Sequence, residues 1–237
     1  MKAARAAIAL ALLAAGVVPP SAHGARPMVT DDARIVDAKA CQLETWVRRN
    51  TDSTEYWALP ACNPSGNLEI TVGGARTNEG GETRATDELV QAKTILRKLE
   101  EGGLGIGLAA GTIRHPHREQ KTGWPGDPYA YVPFSAAFAE GRWVSHVNVG
   151  ASRRRDEGRT VATWGWGNEV RLRPGLFFIP EIFHSDPGRP SYQLGLRYWI
   201  VKDVLQVDAT YGNRLVSDAN ARWFSIGLRI LTPPLLR

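Results

Sequence analysis

Apolar and polar residues alternate with a period of two along most of the chain. The segment Ser191–Ile200 is an example, because its alternate residues divide into two unlike sets. One face of the extended chain would carry Tyr192, Leu194, Leu196, Tyr198 and Ile200. The other face would carry Gln193, Gly195, Arg197 and Trp199. Because successive side chains of a strand point to opposite faces, this period predicts β-strands with one apolar and one more polar face.

Twelve segments of this kind lie between turn signals, and each is predicted to be a strand. They are Cys41–Arg48, Thr54–Ala61, Leu68–Gly74, Asp87–Lys98, Gly103–Ala110, Tyr129–Ala139, Arg142–Ser152, Thr160–Leu172, Gly175–His184, Ser191–Ile200, Asp203–Gly212 and Ala221–Leu231. An even number of antiparallel strands suits a single-chain outer-membrane barrel. The predicted fold is therefore all-β, with a single antiparallel transmembrane β-barrel of about twelve strands.

The fourth segment, Asp87–Lys98, has two interpretations. Read locally it resembles a helix, because Thr86 suits a helix cap and Leu89, Ala92 and Leu96 share one helical face. Read as a strand it keeps the strand count even and the order of the connections intact. Those two features favour the strand, and the helix remains the alternative.

The connections between the predicted strands alternate in length. Those on the far side of the barrel are Asn50–Ser53, Ala75–Thr86, His115–Pro128, Arg153–Arg159, Ser185–Pro190 and Asn213–Asn220. Those on the near side are Cys62–Gly66, Leu99–Gly103, Glu140–Gly141, Arg173–Pro174 and Val201–Lys202. After the first hairpin the far-side connections are mostly long and polar, and the near-side ones are tight. Outer-membrane barrels combine short periplasmic turns with longer external loops, so this order predicts such a barrel.

The N-terminus has the pattern of a cleaved secretory signal peptide. A basic start at Lys2 and Arg5 precedes an uncharged apolar run over residues 6–18, and a small-x-small site ends at Gly24. No later stretch of about 18 apolar residues exists, which excludes a multi-span helical membrane protein. The predicted division is a signal peptide (1–24), a periplasmic N-terminal segment (25–40) and an outer-membrane β-barrel (41–237). Removal of Lys2 and Arg5 with the signal peptide lowers the net charge from +5 to +3, which is too small to indicate nucleic-acid binding.

The two cysteines fit an exported protein. Folding their segment as a hairpin about residues 50–53 places Cys41 opposite Cys62 and Trp46 opposite Trp57. A single hairpin register thus pairs the two cysteines with each other and the two tryptophans with each other, and the two pairings support the same hairpin. It predicts a Cys41–Cys62 disulfide in an oxidising compartment, with two free buried thiols as the alternative.

Three stretches of the chain resemble a known family. They are the opening Arg26-Pro27-Met28-Val29-Thr30-Asp31-Asp32-Ala33, the pair Gly195–Ile200 and Gln206–Gly212, and the closing Arg222–Arg229. Together they resemble proteobacterial outer-membrane barrels related to the phenol-degradation MetA-pathway family. That resemblance implies an outer-membrane channel or transporter and carries over no substrate-binding residues. The chain departs from many outer-membrane barrels because it ends on Pro233-Pro234-Leu235-Leu236-Arg237 rather than on an aromatic residue.

Six polar residues are predicted to line the lumen. They are Gln91, Lys93, Arg97, Arg197, Asp208 and Arg229. Such residues either line an open pore or pair with one another into a plug. Because bases outnumber acids in this set, an open pore would weakly prefer anions. Gly103, Gly105 and Gly107 would make room on one wall of the barrel.

No catalytic, cofactor-binding or metal site is predicted, and the protein is expected not to be an enzyme. His115 and His117 lie in a predicted external loop and lack a third ligand nearby. His184 and Ser185 point to opposite faces of a strand, which disfavours an outer-membrane lipid hydrolase.

The predicted function is a channel or transporter for small solutes in the Gram-negative outer membrane. The alternatives are a closed barrel with a structural or interaction role, a soluble periplasmic β-protein and, least favoured, a lipid hydrolase. The expected partners are outer-membrane lipid, lipopolysaccharide, the barrel-assembly machinery and a small solute, with no cofactor and no nucleic acid.

Overall fold

The computed structural model describes residues 26–100, 103–116, 124–184, 189–216 and 221–236. The predicted signal peptide lies outside the described residues. Twelve strands follow one another along the described chain. They are β1 (Cys41–Asn50), β2 (Ser53–Cys62), β3 (Glu69–Glu79), β4 (Glu82–Arg97), β5 (Leu104–Arg114), β6 (Asp127–Phe138), β7 (Trp143–Arg154), β8 (Arg159–Arg173), β9 (Leu176–His184), β10 (Ser191–Val201), β11 (Leu205–Arg214) and β12 (Trp223–Leu231).

The strands form one closed antiparallel barrel. Each strand pairs with the next along the chain, and β1 closes the circle against β12 from Gln42–Leu231 to Asn50–Trp223. Closure leaves no unpaired sheet edge, which is how a barrel satisfies its backbone hydrogen bonds. The predicted twelve-stranded all-β barrel is confirmed. Among the described residues, no helix is long and apolar enough to cross a membrane.

The contested fourth segment is a strand. Val90, at its centre, pairs with Val72 of β3 and with Thr112 of β5. Hydrogen bonding to a neighbour on each side overrides a local preference for helix. The strand interpretation is confirmed and the helical alternative is wrong.

The barrel has two different ends. We call the end with Cys41 and Leu231 the terminal end and the opposite one the loop end. The longest connections, 115–126 and 215–222, lie at the loop end, in agreement with the predicted order. The predicted loop Ala75–Thr86 is wrong, because β3 and β4 extend to a two-residue turn at Gly80 and Gly81. Both glycines have positive φ, at 60° and 88°, which suits a tight hairpin turn.

The two faces of the barrel wall have opposite chemistry. Outward-facing Leu196 and Ile226 are 51% and 57% exposed. Inward-facing Arg197 and Arg229 are each 1% exposed. A soluble barrel would bury its apolar face and expose its polar one. The structure therefore decides what alternation left open: the apolar face is on the outside.

The first hairpin has the predicted register and the predicted disulfide. Cys41 is bonded to Cys62, and the two residues are paired across β1 and β2. The rings of Trp46 and Trp57 stack in the same register, with centroids 5.2 Å apart and planes 4° apart. A cross-link that closes a loop of this length contributes about 3 kcal/mol through the entropy of the unfolded chain.

Candidate functional site in the barrel lumen

The N-terminal segment lies inside the barrel. We call residues 26–36 the plug segment. Arg26, Thr30, Asp32 and Val36 are all buried, and their partners are inward-facing side chains of the strands. The sequence predicted a periplasmic segment ahead of the barrel, and this part of it is instead surrounded by the wall. The physical reason is complementarity, because the inward faces carry donors and acceptors that the plug segment satisfies.

Arg26 is held on one side of the lumen by β1, β10 and β11. Its Nη2 donates to Asp208 Oδ1 at 2.5 Å, and its guanidinium carbon lies 4.4 Å from the centre of the Trp46 ring. Its carbonyl oxygen accepts hydrogen bonds from Arg197 Nε at 3.0 Å and Gln206 Nε2 at 3.1 Å. Both the side chain and the backbone of Arg26 are therefore fixed.

The next residues of the plug segment bind β9 and β10. The Glu181 carboxylate accepts hydrogen bonds from the backbone nitrogens of Val29, at 3.0 Å, and of Thr30. Gln193 Nε2 donates both to Glu181 Oε2 at 2.7 Å and to the Pro27 carbonyl at 2.8 Å. One inward carboxylate thus accepts the backbone donors of two plug residues.

Two consecutive aspartates of the plug segment bind the opposite wall. Lys93 Nζ of β4 lies 2.7 Å from Asp31 Oδ1 and 3.4 Å from Asp32 Oδ1. The Tyr131 hydroxyl of β6 donates to Asp31 Oδ2 at 2.8 Å. The carboxylates are therefore paired with a buried cation, which a buried charge requires.

Arg34 extends these charge contacts to β8. It lies 3.5 Å from Asp32 and 3.6 Å from Glu169, and Glu169 also binds Arg197 at 3.0 Å. The buried ions form a chain that joins the plug segment to two strands. Removing one ion from such a chain leaves another buried without its partner.

A serine, a histidine and a glutamate lie together beneath the plug segment. Ser135 Oγ is 2.8 Å from His146 Nδ1, and His146 Nε2 is 3.5 Å from Glu169 Oε1. Ser135 Oγ also accepts a hydrogen bond from the backbone nitrogen of Ala33 at 2.8 Å. The residue types resemble a hydrolase triad, but all three side chains are buried and the serine oxygen contacts the plug. The arrangement anchors Ala33.

Inward-facing glycines make room for the plug segment. A Cβ atom at Gly167 would lie 2.7 Å from Met28 Sδ, and one at Gly195 would lie 3.2 Å from Pro27 Cγ. Cβ atoms at three other inward positions would also crowd the plug: Gly105 against Ala33, Gly165 against Thr30, and Gly227 against Arg26. The segment therefore lies in grooves that any larger residue would fill.

Five of the six predicted lumen residues are on the inside of the barrel. Lys93, Arg197, Asp208 and Arg229 are buried, and Gln91 accepts hydrogen bonds from the Tyr129 and Tyr131 hydroxyls. Arg97 is exposed, because a register shift after Ile95 pairs it with outward-facing Ile106. The sequence left open whether these residues line an open pore or pair with one another into a plug. In the structure Lys93, Arg197 and Asp208 contact the plug segment, a closure that neither alternative included.

The predicted excess of inward bases is absent among the described residues. The buried bases are Arg26, Lys93, Arg197 and Arg229. The buried acids are Asp32, Glu69, Asp127, Glu169, Glu181 and Asp208. These buried acids outnumber the buried bases, so the charge of the interior does not support the expected anion preference.

A cavity of about 370 Å³ opens above the plug segment toward the loop end. Val29 and Thr30 form its floor, and Tyr129, Tyr131 and Phe183 are among its lining residues. His115 also lines this cavity and lies 2.7 Å from Asp87. His117 and Ser185 lie outside the described residues. Within the described ranges, no three His, Cys, Asp or Glu side chains are grouped to hold a metal ion.

Sequence reasoning missed several residues that hold the plug segment. Glu181, Glu169, Ser135 and His146 were not among the predicted lumen residues. All four occupy inward positions of strands that were predicted, so extending the period of two along β6 to β9 would have found them. The contacts of Ser135, Glu169 and Glu181 with the plug segment join residues more than 100 positions apart, so no local signal shows them.

A closed antiparallel barrel of twelve strands, apolar outside and polar inside, is the architecture of outer-membrane porins and channels. Solved structures share it. The KdgM porin superposes with a TM-score of 0.60 at 8% identity, over 80% of this chain and 98% of that one. The COG4313 outer membrane channel from Pseudomonas putida F1 has a TM-score of 0.58 at 10% identity, over 85% and 98%. The NanC porin has a TM-score of 0.54 at 9% identity, over 80% and 98%. Because these sequence identities are so low, the similarity to the three structures extends to the fold alone.

The chain belongs to the family described as "Uncharacterised conserved protein UCP029691", whose model matches residues 9–232. This match does not confirm the resemblance to the phenol-degradation MetA-pathway family. No curated protein sequence matches the chain.

Proposed function

We propose that the protein is an outer-membrane channel for small solutes whose lumen is closed by its own plug segment. The observation that carries the proposal is the chain of polar contacts from Arg26 to Val36, which spans the interior from β11 to β3. A polar interior with a polar plug differs from the apolar core that a purely structural barrel can use.

The contacts of the plug segment are of a kind that water can replace. They are ion pairs and hydrogen bonds, whose net contribution is small because the separated groups are well hydrated. The segment is joined covalently to the barrel only through residues 37–40, which lead into β1. Its withdrawal would leave a wall of charged and amide side chains, which suits a water-filled passage. The cavity above Val29 and Thr30 supports an approach from the loop end.

Conductance in planar bilayers tests this function. The full mature chain is compared with a variant that lacks residues 26–36, and liposome swelling with small sugars is measured in parallel. We expect deletion to raise solute flux by about tenfold or more, because an emptied polar lumen conducts. The exposed substitution Glu82→Gln is the matched control and leaves flux unchanged.

The outcome that contradicts the channel is flux no higher than that of empty liposomes for both the full chain and the deletion variant. That result would favour the second candidate, a closed barrel with a structural or interaction role, for which the occluded lumen is the specific observation. Heat-modifiable gel mobility shows that each variant is folded.

The proposed location is the Gram-negative outer membrane, reached by way of the predicted signal peptide. The exposed apolar residues on the outer face support contact with lipid, since soluble monomers rarely expose so large an apolar surface. Arg153 and Arg155 are exposed at the loop end, where guanidinium groups suit lipopolysaccharide phosphates. Extraction from membranes only by detergent tests the location.

A further inference from the structure

The cavity above the plug segment has an aromatic side. Tyr129 and Tyr131 are inward-facing residues of β6 that line it, with ring centroids 6.2 Å apart and planes 13° apart. Both hydroxyls lie within hydrogen-bond distance of Gln91 Oε1 on β4, so both side chains cross the intervening strand β5. The β5 residues that pair with these tyrosines are small, Gly111 and Ala109, and leave room for the rings. Because the hydroxyls are bound to the wall, the rings offer mainly carbon surface to the cavity.

The cavity also has neutral polar groups with unused hydrogen-bonding capacity. Ser152 of β7 pairs with Tyr129, Thr163 of β8 lies one strand further round the wall, and both line the cavity. Within the described chain neither hydroxyl has a hydrogen-bond partner, and Gln91 Nε2 has none either. A hydroxyl is both a donor and an acceptor, and an amide nitrogen has two N–H donors. A ligand at this place can therefore donate and accept hydrogen bonds without displacing contacts within the protein.

Basic residues at the cavity lie beside carboxylates. His115 Nδ1 is 2.7 Å from Asp87 Oδ1, and Arg154 Nη1 is 4.0 Å from Asp127 Oδ2. Both of these bases line the cavity, whereas His184, which also borders it, is an outward-facing residue of β9. The two pairs give the site little net charge, which suits a neutral ligand better than an anion.

The volume and the wall of the cavity restrict the class of ligand. About 370 Å³ lies within the range of small-molecule sites, which combine aromatic walls with a few polar groups. A pyranose with equatorial hydroxyls has C–H groups on its two faces and hydroxyls around its edge. Its faces can bury apolar surface against the tyrosine rings while its edge meets Ser152, Thr163 and Gln91. A planar aromatic solute would leave those three polar groups without partners, and desolvating them costs free energy.

We infer that the cavity binds a neutral pyranose sugar, with one face of its ring against the tyrosine pair and its hydroxyls toward Ser152, Thr163 and Gln91. The inference rests on the proposed function, because it names the class of solute that the channel would admit. Val29 and Thr30 form the floor of the cavity, so the sugar lies on the loop-end side of the plug segment. A solute that enters from the loop end meets this site before it meets the plug segment.

Saturation-transfer NMR on the folded, mature, full-length protein tests the site. The protein is kept in lauryldimethylamine oxide, because glycoside detergents would compete as ligands. The probe is methyl β-D-glucopyranoside, and sorbitol, an open-chain polyol, is the matched probe without a ring face. We expect the glucoside to bind about tenfold more tightly than sorbitol, because only the glucoside has a preformed ring face. Saturation should be strongest on its ring C–H protons, which face the tyrosines.

Substitutions separate the two sides of the site. Tyr129→Ala should weaken glucoside binding about tenfold because it removes one ring, whereas Tyr129→Phe keeps the ring and should leave binding unchanged. Tyr56→Ala is the matched control, since Tyr56 is 49% exposed on the outer face. The double variant Ser152→Ala/Thr163→Val should weaken binding about fivefold, because the sugar hydroxyls lose hydrogen-bond partners. Heat-modifiable mobility establishes that each variant is folded.

Three results would overturn the sugar site. They are sorbitol binding as tightly as the glucoside, glucuronate or benzyl alcohol binding more tightly than the glucoside, and a folded Tyr129→Ala variant that binds like the parent. The channel is judged separately, because this measurement needs no flux. Flux through the variant that lacks residues 26–36, without glucoside binding by the full chain, would remove the sugar site and leave the channel. Glucoside binding without flux would support the site and contradict the channel alone.

Discussion

The outer and inner faces of the barrel come from the same strands but are stabilised in different ways. On β10, outward-facing Leu194 and Leu196 alternate with inward-facing Gln193 and Arg197. The outward residues are half exposed and need no partner apart from an apolar surrounding. The inward residues are buried and each has a defined hydrogen-bond or ion-pair partner in the plug segment or on a neighbouring strand.

Because of this difference, we expect the two faces to tolerate amino-acid substitutions differently. The outer face depends on a general property, apolarity, which many residues share. The inner face depends on specific pairs, and breaking one leaves a buried charge or donor behind. Substitutions that exchange or remove these properties test the comparison directly.

The largest expected effect is on the inner face, at Glu169. Replacing it with alanine leaves Arg197 and Arg34 without their shared carboxylate, and such a loss costs about 3–5 kcal/mol. The free energy of unfolding, measured by denaturant titration in detergent, should fall by this amount. Glu157→Ala is the matched control, because the Glu157–Arg159 pair is exposed and contributes about 0–1 kcal/mol. If the two substitutions lowered the free energy of unfolding equally, the buried inner ion pairs would stabilise the barrel no more than an exposed pair does.

The next effect concerns the outer face at mid-strand. Leu196→Arg places a charge on the outer face, where a lipid-facing wall requires an apolar side chain. It should destabilise the barrel in lipid vesicles by about 2–4 kcal/mol. Val201→Arg, at the end of the same strand, is the control, with an expected cost of about 0–1 kcal/mol near the interface. If position along β10 made no difference, the outer face would not be a membrane surface.

The smallest effect is on a neutral inner pair. The Thr210 and Ser225 hydroxyls are 2.6 Å apart and both buried. Thr210→Val leaves Ser225 without this partner and should lower the free energy of unfolding by about 1 kcal/mol. The double variant Thr210→Val/Ser225→Ala should recover part of the loss, because neither partner then stays unsatisfied. A double variant as unstable as the sum of both single losses would contradict the pairing.

Much of the wall was predictable from the sequence because strands have a local signal. The register that joins Cys41 to Cys62 follows from the spacing of the cysteines and tryptophans within one hairpin. The placement of Arg97 was not predictable, because the register shift after Ile95 depends on pairing with β5. The extension of β3 and β4 to Gly80 and Gly81 was missed for a related reason: polar residues in a projecting hairpin resemble a loop.

The candidate site was predictable only in part. Lys93, Arg197 and Asp208 were recognised as inward residues from alternation. Their partners Asp31, Asp32 and Arg26 were recognised only as a conspicuous opening motif, with no indication that it enters the barrel. No local rule connects Arg26 to Asp208, which is 182 residues away.

By itself the sequence determined the strands other than the contested fourth one, the cysteine pair and the alternation of two unlike faces, because each depends on residues close together in the chain. Only the tertiary structure decided which face is inside and what fills the interior. Closing the barrel brings distant polar residues within hydrogen-bond distance of one another. Their burial is acceptable only when each finds a partner, and the plug segment supplies many of those partners.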